Sequence, residues 1–123
     1  MGLLSFLFGA CSKQPSTQRL AQADRIVATN IQFASSLTIT GDEVGRVSRA
    51  VASANPDSNT YGGYWDWNVQ FYQGTNCVAA IDLMDRTFWS AGKQYTDGTG
   101  VLEAFYKRLS EEAERLEKAK GRQ

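Results

Sequence analysis

The sequence predicts an α+β domain: an antiparallel sheet of about five strands with two helices packed on one face, in the order β-β-α-β-β-β-α. Three observations carry this expectation. Residues 65–72 alternate Trp65, Trp67, Val69 and Phe71 with Asp66, Asn68, Gln70 and Tyr72, the period-two pattern of a strand with one buried face. Short turn-forming segments separate this run from the apolar runs that follow, and short turns join antiparallel neighbours. Two stretches, 40–54 and 100–118, each carry one apolar stripe at helical spacing, which suits two helices covering a single sheet face.

The elements follow in chain order. Asp24 to Phe33 reads as a strand, with Val27, Thr29, Ile31 and Phe33 on one side. Ser35-Ser36 breaks it, and Leu37 to Thr40 reads as a second, shorter strand. Thr40-Gly41-Asp42-Glu43 has the form of a capping box, in which the Thr40 hydroxyl and the Glu43 carboxylate satisfy each other's backbone amides. The helix that it opens runs to about Ala54, with Val44, Val47, Val51 and Ala54 on its stripe, and Asn55-Pro56 ends it. Residues 55–63 form a turn-rich loop.

Cys77 to Met84 and Thr87 to Ser90 read as the next strands, joined by Asp85-Arg86. Ala91-Gly92-Lys93 turns the chain into Gln94-Tyr95-Thr96. The last helix spans about Gly100 to Lys118. Leu102, Phe105, Tyr106, Leu109, Ala113 and Leu116 make its stripe, and Glu103–Lys107, Glu111–Arg115 and Glu114–Lys118 are expected ion pairs.

Parity decides which side chains share a face. A two-residue Gly74-Thr75 loop would set Trp67 against Asp82 and sink a carboxylate into the aromatic core, a costly placement. A three-residue loop, Gly74-Thr75-Asn76, avoids this. It opposes Phe71 to Ala79, Val69 to Ile81 and Trp67 to Leu83. The Asp85-Arg86 turn then opposes Leu83 to Phe88 and Asp82 to Trp89. The covered face is expected to hold Trp65, Trp67, Val69, Phe71, Cys77, Ala79, Ile81, Leu83 and Phe88. The open face is expected to hold Asp66, Asn68, Gln70, Tyr72, Val78, Ala80, Asp82, Met84, Thr87 and Trp89.

Composition narrows function by exclusion. The chain has 123 residues, and 13 Lys plus Arg balance 13 Asp plus Glu. A net charge of zero argues against binding nucleic acid by phosphate neutralisation. The chain has no His, which removes His-based triads, His zinc sites and His general bases. Its two Cys cannot build a cysteine zinc cage. No apolar run approaches the roughly 20 residues of a membrane-spanning helix. No metal and no cofactor are expected, and no enzymatic activity. Asp66 and Asp82, on one face, are the only carboxylate pair in a position for hydrolytic acid–base work. Asp97-Gly98-Thr99-Gly100, ahead of the last helix, is read as capping and turn chemistry.

The N-terminus carries the most specific motif. Residues 1–10, MGLLSFLFGA, are uncharged and mostly apolar, and Cys11 opens a polar stretch rich in Gln, Ser and Thr. Phe8-Gly9-Ala10-Cys11 resembles a bacterial lipobox, the cleavage and acylation site of secreted lipoproteins. The resemblance implies a signal peptide, a lipid on Cys11, a membrane anchor and a place in the bacterial cell envelope. Residues 1–22 would then be leader and tether, and residues 23–120 the globular domain. Cys77 would remain as a buried small hydrophobe; a Cys11–Cys77 disulfide is the rival use of the two thiols. The alternative for the whole segment is an apolar arm of a cytoplasmic interaction module, docked on its own domain or on a partner.

The expected function is therefore binding or structural. Asn68, Tyr72, Asp82 and Trp89 are the candidate binding residues, because parity leaves a large indole among polar groups on the side away from both helices. The expected partner is a protein or a second copy of the chain, with the membrane reached through the lipid.

Overall fold

A computed structural model describes residues 17–32, 35–57 and 65–121. The fold is α+β, built on one antiparallel sheet. Its strands are β1 (Arg25–Asn30), β2 (Ser36–Ile39), β3 (Asn55–Pro56), β4 (Trp67–Gln73), β5 (Asn76–Met84), β6 (Thr87–Ser90) and β7 (Lys93–Thr96). Among the described residues three helices accompany them: α1 (Thr17–Leu20), α2 (Asp42–Ala52) and α3 (Val101–Gly121). The spatial order of the strands is β2-β1-β4-β5-β6-β7-β3. The expected architecture holds, with β7 and the short β3 extending the sheet and α1 added at the start.

One face of the sheet is the core. Ile26 and Ala28 of β1, Trp67, Val69 and Phe71 of β4, Ala79, Ile81 and Leu83 of β5, and Phe88 of β6 are all buried. Val44, Val47 and Val51 of α2 and Leu102, Phe105, Leu109 and Ala113 of α3 belong to the same cluster. Trp67 is fully buried, and its indole N–H donates to the Ser110 hydroxyl of α3 at 3.4 Å. Phe88 stacks on Tyr95 of β7 with ring centroids 5.2 Å apart.

The β4–β5 register is the expected one. Phe71 opposes Ala79, Val69 opposes Ile81 and Trp67 opposes Leu83. The device that produces it is different. Gln73 pairs with Asn76, so the loop is the two-residue Gly74-Thr75, and a bulge between Phe71 and Tyr72 supplies the missing step of parity. Tyr72 therefore opposes Cys77, and Val78 joins the core cluster. Val78 thus leaves the open face expected for it. Cys77 is buried, as expected, and its thiol donates to the Ala79 carbonyl oxygen.

Other local expectations are corrected by tertiary contacts. No side chain caps α2; Gly41, at φ +81°, is its N-cap, and the Glu43 carboxylate instead reaches Arg108 of α3 at 3.2 Å. The capping-box pattern is present, but Glu43 pairs across the helix interface instead. Trp65 precedes β4 and is only half-buried. On α3, Arg115 pairs with Glu112 and Lys120 with Glu117, so the ion pairs sit at i,i+3 and not at the expected i,i+4 positions. Residues 17–22 are not tether: α1 is helical, and Leu20 is buried in the core cluster.

Asp97 performs the capping role expected of the loop ahead of α3. Its side chain is buried. One carboxylate oxygen accepts from the Leu102 amide at 3.0 Å, and the other accepts from the Thr99 amide at 3.0 Å. The Thr99 hydroxyl donates to the same carboxylate and itself accepts from the Val101 amide at 3.3 Å. Burial pushes the Asp97 pKa up, but the hydrogen bonds from Leu102 and Thr99 outweigh it and hold the carboxyl below its ordinary value.

Candidate functional site

The face of the sheet that the described helices leave uncovered is where a surface distinct from the core can act. Successive residues of a strand point to opposite faces, so every strand that buries one set of side chains presents the other. Strand pairing then lines these up across the sheet. Ser36, Thr29, Asn68, Asp82, Trp89 and Gln94 oppose one another in turn from β2 to β7. This row holds five polar residues and a single indole.

The row is ordered by its own hydrogen bonds. The Thr29 and Ser36 hydroxyls lie 3.0 Å apart, one donating to the other. The Asn68 amide donates to the Asp82 carboxylate at 3.1 Å. Beside the row, the Tyr72 hydroxyl donates to the Gln70 side-chain carbonyl at 2.9 Å. The Arg25 guanidinium lies over the Tyr72 ring, 4.6 Å from its centre, and donates to the Gly74 carbonyl. Such contacts fix side-chain rotamers before any ligand arrives, which lowers the entropy lost on binding.

Of the four expected binding residues, Asn68, Asp82 and Trp89 stand in one row, as parity requires. Tyr72 is on the same face, near its far end, and is half-buried. Trp89 is 40% exposed, and among the described residues only it and Ile31 are exposed large hydrophobics. Trp89 is thus left partly in water, whereas Trp67, Phe71 and Phe88 are buried on the covered face. Sequence reasoning missed Thr29, Ser36 and Gln94 as members of the row. Their strands have ambiguous turns, so parity could not be carried into them.

The carboxylate pair does not assemble. Asp66 lies one residue before β4, outside the alternation, and turns toward the helices. Its carboxylate accepts from the Tyr106 hydroxyl of α3 at 2.6 Å, whereas Asp82 is bonded to Asn68 on the open face. Burial and the nearby Asp66 carboxylate together raise the Tyr106 pKa, so this phenol stays protonated as the donor. The two acids are held on different faces by different partners and cannot flank one substrate.

Residues 1–16, with Cys11 and the lipobox-like Phe8-Gly9-Ala10-Cys11, lie outside the described residues. Among the described residues no group of acidic and thiol side chains is placed to hold a metal ion, and no helix is long and apolar enough to cross a membrane. No protein-family model, no curated protein and no solved structure matches this chain.

Proposed function

We propose that this domain is a non-enzymatic binding or structural protein of a bacterial cell envelope, anchored by a lipid on Cys11, whose open sheet face engages a protein partner. The observation that carries the binding reading is Trp89: an exposed indole between Asp82 and Gln94 in a row of polar residues, on the face away from the helices. Tryptophan surrounded by oriented polar side chains is the composition of an interface hot spot. Burying it against a partner removes apolar surface from water, and the half-buried Asn68 and Asp82 provide directional contacts beside it.

Trp89→Ala is the direct test. Stability is expected to change by less than about 1 kcal/mol, as for a surface substitution. A partner co-purified or cross-linked from native envelopes is expected to be lost. A variant that unfolds makes Trp89 a core residue, and one that retains the partner removes this face from the interface.

The lipid anchor is tested separately. Leu20 packs in the core, so the span from Cys11 to Thr17 reaches at most about 20 Å, enough only to hold the domain against the membrane surface. Cys11→Ser is expected to move the protein from the membrane to the soluble fraction with an unchanged circular dichroism spectrum. Intact mass of the native protein is expected to show loss of residues 1–10 and acylation of Cys11. Retention of Met1, or membrane association that the substitution leaves intact, contradicts the anchor.

A further inference from the structure

The two edges of the sheet are built differently. On the β3 side, the Asp57 amide donates to the Gln94 carbonyl at 2.9 Å, which makes 57 and 94 a hydrogen-bonded pair. Such pairs alternate along an antiparallel ladder. Pro56, opposite Tyr95, therefore occupies the position whose N–H would point away from the sheet. Proline has no N–H, so this short edge presents no donor there. Natural sheets commonly close their edges in this way.

Among the described residues the β2 edge has no such device. The Asn30 amide donates to the Ser35 carbonyl at 2.8 Å. By alternation, Leu37 with Ala28 and Ile39 with Ile26 are the next bonded pairs. Ser36 and Thr38 lie between them and direct both their N–H and C=O groups outward. β2 ends the strand order, and Ser36 and Thr38 are exposed. The strand, Ser36-Leu37-Thr38-Ile39, contains no proline and no charge.

We propose that β2 pairs antiparallel with β2 of a second copy of this chain, forming a two-fold symmetric dimer with one continuous sheet. The register follows from the outward groups. Ser36 opposes Thr38 of the second copy, Thr38 opposes its Ser36, and Leu37 opposes its Leu37 on the axis. Both outward N–H and both outward C=O groups of each strand are then paired. The cross-strand side-chain pairs are Ser with Thr on the open face, a pairing that hydrogen-bonds well. Leu37 already packs partly on the core cluster, and its remaining surface meets its counterpart. No like charges meet at any position, so the edge is complementary to itself. The pairing uses neither Trp89 nor Cys11; it shares Ser36 with the row on the open face but does not rest on the function proposed above.

Sedimentation of the full chain, in detergent where it carries lipid, is expected to show a dimer at micromolar concentration. Thr38→Pro removes an outward donor without touching the β1 ladder and is expected to give a folded monomer. Ser36→Lys with Thr38→Lys sets ammonium groups against each other across the axis and is also expected to give a monomer. Ser36→Glu with Thr38→Lys opposes unlike charges in the same register and is expected to restore the dimer. Trp89→Ala is expected to leave it unchanged. A monomeric wild-type chain, or a folded Thr38→Pro variant that remains a dimer, overturns the proposal. If Thr38→Pro fails to fold, the two charge variants decide: equal dimerisation of both overturns the β2 register.

Discussion

Trp67→Ala is expected to destabilise the domain by about 3–5 kcal/mol, the range for deleting a large aromatic from a core. The indole is fully buried on the covered face. It opposes Leu83 on β5 and Asn30 on β1, and its N–H is satisfied by Ser110 of α3. Removing it leaves a cavity at the seam between sheet and helix, where neither layer can move inward without losing its own contacts. Against a typical total stability of about 5–15 kcal/mol, this is a large fraction. Denaturant unfolding monitored by circular dichroism measures it. A loss under about 1 kcal/mol would mean that the site is wet or collapsible and that Trp67 is not the keystone of the layer contact.

Asp97→Ala is expected to cost about 2–4 kcal/mol, more than an ordinary helix cap, because it combines a lost cap with buried donors left unpaired. The Leu102 and Thr99 amides and the Thr99 hydroxyl all point at this carboxylate. Asp97→Asn retains the shape but offers a single acceptor oxygen and no charge, and is expected to lie between the two. The pH dependence follows from the depressed pKa. The ionised form is favoured in the folded state, so its contribution is complete above the unfolded value of about 3.9 and is lost as pH falls through the folded value. Acid unfolding of the wild type is therefore expected to steepen below about pH 4. The Asn variant should lack that component, and identical acid limbs for the two proteins would remove Asp97 as its source.

Much of the fold was legible because burial is periodic. The alternation from Trp65 to Tyr72, together with the cost of a carboxylate in the core, is enough to place Trp67 against Leu83 and Trp89 beside Asp82. The bulge at Tyr72 was not legible. A three-residue loop and a two-residue loop with a bulge have the same effect on parity, and only the bulge brings Val78 into the core. Glu43 shows the limit of local motifs: its capping position is correct in spacing, but an arginine on another helix takes it. Leu20 is a single apolar residue in a polar stretch, with no periodic neighbours to mark it as core. Asp66 sits one residue outside its strand, where alternation no longer predicts direction.

The connection pattern of the sheet also sets an order of assembly. From β4 to β7 each strand pairs with the next across a tight turn, so closing those loops costs little chain entropy. The β1–β4 seam is different, because it joins Ile26 to Phe71 with α2 and a long connection between them. Nucleation is therefore expected in the β4–β7 meander, with β1, β2 and α2 condensing onto it in a later step. Native-state hydrogen exchange reads this as a shared, lower-energy opening of β1, β2 and α2 while β4 and β5 stay protected; one common opening free energy for all strands would instead mean that the sheet forms as a single unit.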